Sequence, residues 1–154
     1  MLSNKLVESI EDHSEPLMAL VIERIRLDPD LSTISQLRDL ELREAGYEFL
    51  HKLGSWLAGE KRDDVARQQQ EVGKLRYSQQ IPLHECVKAL HILKYETVDY
   101  VRNRGFAQTS LEIYAEEELE HRLNRFMDFL VYHLVRGYEA ALRKAARKMQ
   151  DAVS

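Results

Sequence analysis

The chain of 154 residues has one cysteine, Cys86, so no internal disulfide can form and no thiolate metal site can be built from cysteine alone. A reducing compartment follows as the default. Proline and glycine are scarce, at three and six residues, which excludes a loop-rich or low-complexity chain. No apolar run approaches about 18 residues, and charges interrupt Leu2 to Leu27 every few positions, so neither a membrane span nor a signal peptide is expected. A basic excess is missing too. The net charge is -4 and the pI about 5.9, which disfavours binding to a duplex or to a membrane surface. Period-two alternation of apolar and polar residues is found nowhere, leaving no candidate strand. With 44% hydrophobic residues, the chain fits one domain with a single modest core, all-α, soluble and cytoplasmic.

What is present is helical spacing. From Ser3 or Asn4, the residues Leu6, Ile10, Leu17, Val21 and Ile25 recur on one face, with Pro16 placed either to kink this helix or to begin a second one. Asp28-Pro29-Asp30 ends it, and a loose segment carries Leu31, Ile34 and Leu37. Asp39 is placed as the N-cap of a helix with the stripe Leu42, Ala45, Phe49, Leu53 and Trp56, closed by Gly59. Asp63 and Asp64 cap a helix to about Ser78. Its apolar content, Val65, Val72 and Leu75, is thin enough to predict a surface position. Pro82 takes the first position of the next helix, which buries Leu83, Val87, Leu90, Leu93, Thr97, Val98 and Val101 and stops at Gly105.

The last element is the most informative. From Thr109 to about Gln150 there is no proline and one glycine, Gly137. Thr109 and Glu112 have capping-box spacing. At about 1.5 Å per residue this helix runs roughly 60 Å, about twice the width of a small domain. Leu119, Leu123, Phe126, Leu130, Leu134 and Tyr138 supply a core stripe, while Met127, Phe129, Val131, Tyr132 and Val135 widen it beyond what one buried face needs. The spacing continues through Ala141, Ala145 and Met149. Two readings remain open: a core helix with a frayed tail, or a helix that meets a second copy through Phe126, Phe129, Leu130, Tyr132, His133 and Val135. Arg143, Lys144, Arg147 and Lys148 at its end, with Glu112, Glu116, Glu117, Glu118 and Glu120 at its start, match the helix macrodipole and imply no nucleic acid.

Chemistry has few candidates. Glu48-x-x-His51 and Glu118-x-x-His121 have the spacing that carboxylate-bridged metal bundles use, but both histidines are displaced from their apolar stripes and are expected to face water. His84, His91 and His13 are the residues a haem or iron sensor of globin type would use, and each is more simply a boundary or core histidine with a satisfied ring. Cys86 reads as a small buried hydrophobe. There is no nucleophile with its base and no phosphate-cradling glycine loop, so no catalytic residue, cofactor or metal is assigned.

Leu53-Gly-Ser-Trp-Leu57, Val72-Gly73-Lys-Leu-Arg76 and Gln80-Ile-Pro-Leu-His-Glu85 running into Leu90, together with Asp28-Pro29 and the long terminal helix, resemble the N-terminal domains of RsbR-type RsbT co-antagonist proteins. The resemblance covers roughly residues 4 to 150 through short, mostly structural motifs. It implies a globin-like bundle without haem: a cytoplasmic sensory module of bacterial stress signalling that dimerises and passes a signal along its last helix to a partner protein. Family members commonly carry a STAS output domain. None is present by Ser154, so the expectation is a free-standing relative that works by binding another protein, with room for a small apolar ligand left open.

Overall fold

Pro16 begins a helix instead of kinking one. In the computed structural model, which describes residues 8, 10–57, 59, 62–103 and 110–153, the helical residues 10–12 give way to a turn at His13. Helix α1, Ser14–Leu27, then starts with Pro16 in its first turn, where a missing N–H breaks no intrahelical bond. It buries Leu17, Met18, Val21, Ile22 and Ile25. The segment Ser3 to Leu6 lies outside the described residues.

Two short 3-10 turns, Pro29–Leu31 and Ile34–Gln36, occupy the loose segment and bury Leu31 and Ile34. Helix α2, Asp39–Leu57, begins at Asp39 itself, so this residue sits in the first turn and not at the cap. Gly59 has φ +76° and donates to the Trp56 carbonyl at 3.0 Å, a left-handed stop of the expected kind. Helix α4, Leu83–Asn103, follows Pro82, whose carbonyl accepts from Glu85 and Cys86; the proline is thus one position earlier than the sequence reading placed it. Gly105 and Thr109 lie outside the described residues, as does the capping box.

Helix α5 spans Ser110–Val153, 44 residues, three longer at its end than the sequence pattern indicated. Phe126 is fully buried and meets Phe49 and Trp56 at ring-centroid distances of 5.6 Å each. Leu119, Leu123, Met127, Leu130 and Leu134 complete its buried face. Among the described residues no strand occurs, and the fold is all-α with one long C-terminal helix.

Helix α3, Arg62–Ser78, is a surface helix as its thin apolar content indicated, with only Val65, Gln69 and Gly73 buried. Its inner face lies against α5, a contact made by absent side chains. A Cβ on Gly73 would collide with the Leu134 carbonyl and stand 2.7 Å from the Tyr138 nitrogen; one on Gly137 would collide with the Gln70 carbonyl. The two backbones touch at this pair of glycines, which is why an apolar count did not reveal the packing. Tyr77 and Tyr138 meet edge-on at 5.4 Å beside them, and Tyr138 donates to the Ile81 carbonyl at 2.8 Å.

Candidate functional site

Two features remain once the fold is accounted for: an uncovered face on α5 and a cavity inside the bundle.

Of the six residues expected at an interface, Phe126 and Leu130 belong to the core and are buried by their own chain. They are withdrawn from any contact between folded copies. Phe129 is partly buried, its ring 4.9 Å from Trp56 and 4.5 Å from His133. His133 is half-buried, and Gln70 Nε2 donates to its Nδ1 at 2.9 Å. Burial, helped by the nearby Arg136 charge, lowers the pKa of the imidazole. Tyr132 is 58% exposed, and Val135 is half-buried.

Beyond Tyr138 the rod leaves the body. Helix α3 stops at Ser78, and from Ala140 to Val153 no residue of α5 is buried. The last twelve residues extend roughly 18 Å. Alanine, leucine, lysine and arginine hold such a segment helical without a partner, so its helicity carries no argument. Its patterning does. Leu142 (48% exposed), Ala145, Ala146, Met149 (71%) and Val153 (89%) share one side, continuous with Val131 and Val135, whereas Arg143, Lys144, Arg147 and Lys148 share the other. Val135, Tyr138, Leu142, Ala145, Met149 and Ala152 alternate by three and four, the seam of a two-helix coil.

The cavity, about 210 Å³, lies between α1, α2, α3, α4 and α5, with walls that include Met18, Phe49, Leu93, Leu130 and Leu134. Its polar lining includes Lys52, Gln69, Arg76 and Cys86. Lys52 lies on the shoulder of the α2 stripe, three residues after Phe49 and four before Trp56, and is only 6% exposed. Its ammonium donates to Gln69 Oε1 at 3.1 Å and, among the described residues, joins no ion pair. Desolvation pulls its pKa down, opposed by the Glu48 charge. Arg76 is likewise pushed down by burial and donates to Gln79 Oε1 at 2.8 Å. Burial raises the Cys86 thiol to about 11, so it is neutral and no thiolate. The sequence stripe missed Lys52 and Gln69, although the spacing of Lys52 from Phe49 and Trp56 already put it on the inner side.

Other expected positions stay outside this site. His51, His84, His91 and His121 are exposed, His13 is half-buried near Tyr100, and no described histidine lines the cavity. Among the described residues no group of three histidine, cysteine or acidic side chains is placed to hold a metal ion. No helix of the described residues is long and apolar enough to cross a membrane. Glu85, which no sequence signal marked, is buried in the first turn of α4; its Oε1 accepts from the backbone N–H groups of Thr33 (2.8 Å) and Ile34 (3.1 Å) and pins the 3-10 segment to the body. Compared with family models, curated proteins and solved structures, the chain has no match.

Proposed function

We propose that the chain is a non-enzymatic sensory or regulatory module that acts as a homodimer in the cytoplasm, relaying a signal through α5 to a partner protein. The observation that carries this reading is the apolar side of α5 at Leu142, Met149 and Val153, which the rest of the chain leaves exposed and which continues the line of the half-buried Val131 and Val135 over a length that a second helix would bury. The basic side faces away from that seam, so two copies can approach without bringing like charges together. A packed helix pair can hold two discrete arrangements, and a partner or ligand that prefers one shifts the population by its differential affinity. The globin-like character and the link to RsbR-type stress signalling belong to this proposal and rest on the sequence resemblance.

Leu142→Glu tests it. Leu142 lies beyond the body, so the variant should keep the circular dichroism and melting temperature of the subunit fold while light scattering shows its mass halved relative to the parent chain. Phe129→Glu is a poorer test because the ring also packs on Trp56. A parent and a Leu142→Glu variant of equal mass would end the proposal.

A further inference from the structure

We infer that the interior cavity is a binding site for a small monocarboxylic acid with an apolar tail, its carboxylate held by Lys52 and its tail among the aliphatic walls. Three observations carry this.

The first is size. A dry protein cavity of about 150 Å³ accepts benzene, six heavy atoms. At about 210 Å³ the space here suits roughly eight to ten, the size of hexanoate to octanoate. A long-chain lipid exceeds it.

The second is charge. A buried ammonium with one neutral acceptor is an expensive arrangement unless an anion completes it. Lys52 is such a group, and Arg76 places a second desolvated cation on the same lining. The carboxylates of that lining are otherwise engaged or solvated: Glu41 is bonded to Arg38 and Gln79, while Glu44 and Glu48 are exposed. Gln69 supplies an amide beside the ammonium, and the neutral Cys86 thiol does not repel an anion.

The third is access. An outer groove between α2 and α3 shares Glu48, Lys52, Val72 and Leu75 with the cavity, so Lys52 stands where groove and cavity meet. A ligand entering tail first through this groove leaves its head at the ammonium. Leu130 and Leu134 of α5 form part of the far wall, so the occupant touches the long helix directly. Any effect of the ligand on pairing of α5 rests on the proposed dimer; binding itself does not.

Isothermal titration of the full chain with sodium octanoate and with 1-octanol tests the site. Octanoate should bind at one site per chain, and 1-octanol, which lacks the charge, at least about tenfold more weakly. Lys52→Met should remove that preference while keeping the fold, since it exchanges a buried cation for an apolar chain of similar length. Ala89→Leu, which fills part of the space, should weaken both ligands. Absence of octanoate binding, equal binding of acid and alcohol to the parent chain, an undiminished preference in Lys52→Met, or unchanged octanoate binding in Ala89→Leu would each overturn the inference. Because the measured quantity is binding per chain, its failure is separable from failure of the dimer, which changes only the mass.

Discussion

Replacing Gly137 with alanine sets two effects of opposite sign against each other. In an ordinary helix interior the change stabilises by about 1 kcal/mol, because glycine gives up more backbone freedom on folding than alanine does. Here the new Cβ would collide with the Gln70 carbonyl oxygen and stand 2.6 and 2.7 Å from the Gln70 carbonyl carbon and Cα. Ordinary carbon contacts lie near 3.5 to 4.0 Å. The helices must therefore part by about 1 Å along a crossing made of backbone, which has no flexible side chain to yield. Overpacking of this kind costs about 1 to 3 kcal/mol and occasionally more, so the upper part of that range outweighs the propensity gain and the net loss should be about 1 to 2 kcal/mol. For a chain of this size that lowers the melting temperature by roughly 2 to 8 °C. Gly54→Ala is the control: its Cβ would meet only Glu11 Oε1 at 3.5 Å, ordinary contact, so the melting temperature should rise. Thermal unfolding followed by circular dichroism compares the two. If Gly137→Ala stabilises as much as Gly54→Ala, the backbone contact between α3 and α5 is wrong.

Two further outcomes concern neighbouring buried groups at the start of α4. Glu85→Ala strips the Thr33 and Ile34 amides of their acceptor, Ile34 being buried, and should cost about 2 to 3 kcal/mol in urea unfolding; an effect below about 0.5 kcal/mol would show that water replaces the carboxylate. Cys86 concerns the alkaline side. Burial raises its thiol from the ordinary 9.0 to about 11, so between those values the unfolded chain has released a proton that the folded chain retains. Its contribution is complete below pH 9, shrinks as pH rises toward 11, and should be absent from Cys86→Ala. A parent and a variant with the same slope of stability against pH across that window would refute the assignment.

The helices were legible because their apolar residues recur at three and four, as with Leu42, Phe49, Leu53 and Trp56 in α2 or Leu119 to Leu134 in α5. Contacts made by something other than an apolar side chain were not. The α3–α5 crossing depends on the lack of a Cβ at Gly73 and Gly137, and a glycine in a polar helix carries no hydrophobic signal. Glu85 is buried by amides about fifty residues away, a pairing that only the fold creates. The interface expectation erred for the opposite reason: an apolar surface on nearly every side of residues 126 to 135 does not say which side the body takes, and the body took Phe126 and Leu130. Lys52 was within reach, since its spacing from Phe49 and Trp56 places it beside the buried stripe.

The proposed pairing of α5 with a second copy of the chain is decided by sedimentation equilibrium of the parent chain over a range of concentrations. Pairing should give a mass twice the 18.0 kDa of the subunit. A mass of 18.0 kDa that does not change with concentration would contradict it.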